Sequence, residues 1–88
     1  MTGGLAKVAP NPISGNGGTI EYSVPFDQQG EISIYNSTMQ KVATIYDGQM
    51  VEGRQTIDVP VNELANGAYY FKITMGQKEE LGRLVIQK

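Results

Sequence analysis

Apolar and polar residues alternate through most of the chain, and Gly, Asn, Asp and Pro interrupt the alternation at short intervals. Period two is the repeat of a strand with one buried face. In "TIEYSV", Ile20, Tyr22 and Val24 fall on one side, and Thr19, Glu21 and Ser23 on the other. Pro25 closes this strand, since it has no N–H to give a ladder. "FDQQG" reads as a turn. "EISIY" then puts Ile32 and Ile34 inward and Glu31, Ser33 and Tyr35 outward. After a second turn, "NSTMQ", the strand "KVATIYD" alternates imperfectly. Val42 and Ile45 land on opposite faces unless a bulge intervenes. Asp47-Gly48 ends it, and "QMVEG" is a loop.

"RQTIDVPV" alternates Ile57, Val59 and Val61 against Thr56, Asp58 and Pro60, and Pro60 places it at a sheet edge or at its own end. "NELANG" has room for one helical turn and no more. "AYYFKITM" is the clearest strand, with Tyr69, Phe71, Ile73 and Met75 on one face and Ala68, Tyr70, Lys72 and Thr74 on the other. Gly76-Gln77 turns the chain into "EELGRLVIQ". With "AKVAP" near the start, the count is seven short strands. The class expected is all-β, a seven-stranded antiparallel Ig-like β-sandwich.

Two details bear on that expectation. Asn66-Gly67 suits a turn of positive φ, and Tyr69 follows two residues after the Gly. Greek-key sandwiches often put a Tyr there, its ring in the core and its hydroxyl on nearby backbone; a plain half-buried strand aromatic is the other reading. At the C-terminus, "GRLVIQK" ends on an aliphatic triplet. Leu81, Leu84 and Ile86 cannot share one face without a bulge, for which Gly82 is the natural place.

At 88 residues the chain is one small domain, with no Cys for disulfides and no His for general-base or metal chemistry. Packing alone must hold it. The net charge is -2 with scattered basic residues, which argues against nucleic acid. No run of about 18 apolar residues exists to insert in a membrane. Met1–Gly4 lacks the basic and apolar regions of a secretory signal. It reads as a start residue and short linker ahead of an excised domain, residues 5–88, or else as a natural N-terminus.

Candidate chemistry is thin. No two carboxylates are marked out as a hydrolytic pair, and Glu79 and Glu80 point to opposite faces of a strand. "DQQGE" lacks the spaced acidic series of a calcium loop. "SGNGG" leads into a strand, not into the helix a phosphate loop needs. Tyr35, Tyr46 and Tyr70, expected to face solvent, raise carbohydrate binding, though outward Tyr is ordinary in sheets. No catalytic residue, metal or cofactor is expected.

Four segments in order resemble a known family. They are "VAPNPISGNGGTIEYSVP", "GEISIYNSTMQKVATI", "LANGAYYFKITMG" and the closing "GRLVIQK". Together they resemble the type A C-terminal sorting domain of type IX secretion cargo in Bacteroidetes. The resemblance covers residues 7–88 and implies a non-catalytic address. Such a domain directs an N-terminally fused cargo across the outer membrane, through the periplasm to the cell surface or medium. It implies as partners the type IX translocon and a surface sortase that removes the domain afterwards. Carried over by position, the recognition residues are Gly67, Tyr69, Gly76, Arg83, Leu84, Val85, Ile86 and Lys88, with Asn11 and Pro12 as a structural turn. Arg83 stands where the family often has Lys. The hairpin and the Gly-x-Tyr pattern also resemble the Ig-like domain of flagellar hook-capping proteins, which would make the chain an assembly module; an adhesin-like sugar-binding sandwich is the remaining alternative.

Overall fold

The computed structural model describes residues 6–15 and 17–88, with the side chains of residues 9–12 left aside. Seven strands run in order: β1 (Lys7–Ser14), β2 (Gly17–Val24), β3 (Gln28–Tyr35), β4 (Lys41–Met50), β5 (Gly53–Asp58), β6 (Gly67–Met75) and β7 (Lys78–Ile86). β1, β2 and β5 form one antiparallel sheet. β4, β3, β6 and β7 form the other, also antiparallel. β1 joins them. Its first half pairs with β2, and Ile13 near its end pairs in parallel with Ile86 of β7. This is the Ig-like sandwich expected from the strand count.

One core lies between the sheets. Ile20, Tyr22 and Val24 come from the three-stranded side, and Ile32, Ile34, Tyr69, Phe71, Ile73, Met75, Leu84 and Ile86 from the four-stranded side. The alternation in "TIEYSV" and "AYYFKITM" is therefore the alternation of core and surface. Ser33 departs from the expected pattern: it points outward yet is buried, and its Oγ donates to Glu31 Oε2 at 2.7 Å.

The irregular stretches have local causes. β4 carries two bulges against β3, at Ile45 and Val42, where the pairing skips a residue. They absorb the broken alternation. β4 also continues past Asp47-Gly48 to Met50, which is buried, so Gln49 and Met50 of the expected "QMVEG" loop are strand. Gly30 permits this, because a Cβ there would collide with the Met50 side chain. β5 is an edge strand and ends at Asp58, and Val59 and Val61 enter the core from outside it. The single helical turn is a 3₁₀ turn at Val61–Glu63. In the β3–β4 turn, Asn36 Oδ1 accepts from the Thr38 and Gln40 N–H groups at 3.0 and 2.9 Å. Asn can close such a turn with its own side chain.

Two expectations need correction. β6 and β7 pair without a register shift from Gly67↔Ile86 to Met75↔Lys78, so Gly82 is not a bulge. No bulge is needed because Leu81 turns outward and stays 58% exposed. Gly82 faces inward under the Phe71 ring, and a Cβ there would collide with it. Asn11 and Pro12 lie within β1, not in a closed turn; the chain breaks register between Ala9 and Ser14 as it passes from one sheet to the other. Their side chains lie outside the described residues.

Candidate functional site

The residues that the sequence singles out come largely from two neighbouring strands. Pairing brings Gly67 opposite Ile86, Tyr69 opposite Leu84, Tyr70 opposite Arg83 and Ala68 opposite Val85. Strand alternation then divides them. Tyr69, Leu84 and Ile86 point into the core, and Leu84 is fully buried. Arg83 and Val85 point out from the other side, Arg83 exposed and Val85 half-buried. Arg83 makes no ion pair among the described residues.

A hydrogen bond fixes the corner above this pair of strands. Tyr69 Oη donates to the Ala65 carbonyl at 2.7 Å while its ring is buried. Of the two readings of Tyr69, the structure selects the core ring with a backbone-bound hydroxyl. Gly67 has the positive φ expected, 153°.

The same corner holds the tail. The Lys88 N–H donates to Asn66 Oδ1 at 3.0 Å, and the Gln87 N–H donates to the Ile13 carbonyl at 2.8 Å. The "LANGAY" and "GRLVIQK" segments are therefore one joint, built from both sides. Asn66 is absent from the residues chosen by sequence. Its pairing with a turn Gly was visible, but nothing in a linear pattern ties position 66 to position 88.

Gly76 lies apart from this joint. It sits in the β6–β7 turn with φ of 60°, a conformation side chains resist, and its N–H donates to the Gln29 carbonyl at 3.4 Å. The joint and Gly76 occupy opposite ends of the same hairpin.

The outer face of the four-stranded sheet is polar and internally paired. Lys41 Nζ donates to Glu31 Oε2 at 2.9 Å, which holds the Glu31 carboxyl below the usual carboxylate range, with the Ser33 hydroxyl as the second cause. The same bond holds the Lys41 ammonium above its ordinary value. Lys72 stands 5.3 Å from the centre of the Tyr35 ring and 3.8 Å from Glu79. Tyr35 and Tyr70 are cross-strand partners and only half-exposed. Tyr46 is half-buried against the core, not turned to solvent, and its hydroxyl donates to the Gln49 carbonyl. Among the described residues no three of Asp and Glu gather as metal ligands, and no helix is long and apolar enough to cross a membrane.

No curated protein and no solved structure matches the chain at a significant level. A family model described as "Secretion system C-terminal sorting domain" matches residues 7–87, from the first residue of β1 to the tail that Asn66 and Ile13 hold. That span takes in all seven strands and the joint short of Lys88, and the chain belongs to the family of C-terminal sorting domains of the type IX secretion system.

Proposed function

We propose that this domain is a non-catalytic address that the type IX translocon reads in the periplasm, and that a surface sortase then removes from the cargo. The family match across the whole sandwich carries the reading. Within the joint, we assign direct contact with the translocon to Arg83, Val85 and Lys88, which point away from the core or lie beyond it. Gly67, Tyr69, Leu84 and Ile86 act by holding those three in place. Gly76 contributes a second, separate turn. The flagellar hook-capping and sugar-binding alternatives gain no support from the site. The cross-strand pair Tyr35 and Tyr70 is partly covered, and Lys72 crosses the Tyr35 ring.

The test follows from the division between buried and outward residues. Residues 5–88 are fused behind a signal peptide and a reporter in a bacterium with the type IX machinery. A second fusion carries Arg83→Glu and Val85→Thr and lacks Lys88, with Leu84 and Ile86 intact. Export of the first fusion, and periplasmic retention of the second while its domain stays folded and unfolds cooperatively, is the expected result. Retention of the first overturns the sorting reading. Equal export of both overturns the assignment of the three residues.

A further inference from the structure

Among the described residues, Met39 alone has a positive φ without being glycine, at 66°. In that conformation a Cβ is crowded by its own backbone, and Gly or Asn is the usual occupant. Met39 is the fourth residue of a tight turn, its N–H donating to the Asn36 carbonyl at 2.9 Å. Hairpin turns that end in this conformation normally carry Gly there. The turn is tied so as to hold the strain. Asn36 Oδ1 accepts from the Thr38 N–H, the Thr38 hydroxyl and the Gln40 N–H at 3.0, 2.8 and 2.9 Å. The Met39 side chain gains little by burial, because the residue is 49% exposed. An apolar residue that costs stability where it stands, and is not packed inside the fold, points to a use outside it.

The turn lies at the tail end of the four-stranded sheet. Lys41, Tyr35, Tyr70 and Arg83 are successive cross-strand partners. They form one row on the outer face, about 14 Å long at ordinary strand spacing. Arg83 stands at one end of the row, and the Met39 turn, two residues before Lys41, at the other. Between them the charges are engaged: Lys41 with Glu31, and Lys72, over the Tyr35 ring, with Glu79. What the row offers there is two half-exposed Tyr rings. A specific interface uses about 20 residues a side, so a partner that touches Arg83, Val85 and Lys88 has to cover more of the domain than the tail. The row continues directly from Arg83.

We propose that Met39 is a recognition residue for the translocon, at the far end of a contact surface that runs from Arg83 over Tyr70 and Tyr35. The proposal rests on the reading of Arg83, Val85 and Lys88 as the address. The partner that fits is a protein surface with a carboxylate for Arg83 and, across the two rings, an apolar hollow for the Met39 thioether. An unbranched thioether adapts to such a hollow. The tied turn presents it in a fixed direction, so little order remains to be imposed on binding.

Fusions of residues 5–88 behind a signal peptide and a reporter, in a bacterium with the type IX machinery, test this with Met39→Gly, Met39→Asn and Met39→Leu. The melting temperature of each purified domain is measured alongside. Gly and Asn accept positive φ, so both variants are expected to melt above the parent, Met39→Gly by about 4 °C. Both are nonetheless expected to be exported about fivefold more slowly. Met39→Leu keeps an apolar chain and is expected to be exported at the parent's rate. A gain in stability joined to a loss of export is not what a residue that only closes a turn would give. Export of Met39→Gly and Met39→Asn at the parent's rate, or of Met39→Leu as slowly as Met39→Gly, overturns the proposal and leaves the address reading standing. A Met39→Gly domain that melts below the parent removes the strain argument and overturns it too. Retention of the parent fusion overturns both the proposal and the sorting reading.

Discussion

Leu84 and Val85 are adjacent in sequence and opposite in environment, and this contrast gives the sharpest test of the tail. Leu84 is 0% exposed and sits opposite Tyr69 in the core, whereas Val85 is half-buried on the outer face opposite Ala68. Truncating a buried Leu to Ala removes transfer energy and leaves a cavity, at a cost of about 3 kcal/mol. Unfolding entropy of about 2.1 cal/mol/K per residue gives ~185 cal/mol/K for this chain, so the loss lowers the melting temperature by ~16 °C. Val85→Ala removes two methyl groups that already meet water on one side, at about 1 kcal/mol and ~5 °C. Thermal unfolding followed by circular dichroism measures both, and a reporter fusion measures export. Leu84→Ala should lose stability first, and export only as a consequence. Val85→Ala should lose export at nearly full stability. Equal melting shifts would refute the inward and outward assignment of β7, and with it the division of the tail into support and address.

Three further outcomes follow from the same geometry. Tyr69→Phe keeps the ring and deletes the bond to Ala65, so it should cost about 1 kcal/mol in denaturant unfolding, with the m-value unchanged. Gly82→Ala drives a methyl group into the Phe71 ring and should destabilise by about 1–3 kcal/mol, whereas Gly82→Ala combined with Phe71→Leu should recover part of that loss. Burial, with a smaller contribution from Tyr46, raises the Tyr22 phenol above its ordinary value. A raised folded value means that this stability is present below the unfolded value of 10.0 and is lost as pH rises through the folded one. Stability measured by denaturant should therefore fall above about pH 10, and Tyr22→Phe should flatten part of that fall.

The strands were legible because a half-buried strand writes period two into its own sequence. β2 and β6 show this most directly, since every inward position is apolar. The bulges in β4 were legible as broken alternation, though not as two separate sites. What escaped was long-range. Ile13 follows Asn11-Pro12 in a stretch that reads as a loop, yet it crosses to the other sheet and pairs with Ile86. Only the closing of the sandwich makes that strand. Gly82 looked like a bulge because the need for it was judged from β7 alone. The cause lies across the ladder, in the ring of Phe71.

The joint at the C-terminal corner explains why two segments nearly twenty residues apart belong together. Tyr69 anchors the loop before β6, Asn66 in that loop anchors Lys88, and Ile13 anchors Gln87. A change in any of these loosens the tail without touching an outward residue. Entry to the sandwich lies elsewhere. β1 starts eight residues before the Gly15 turn that lies against Lys88, which is roughly 26 Å of extended strand. The N-terminal end of β1 therefore lies away from the tail. On the proposed reading, the fold holds Arg83, Val85 and Lys88 at one end, clear of a cargo joined at the other.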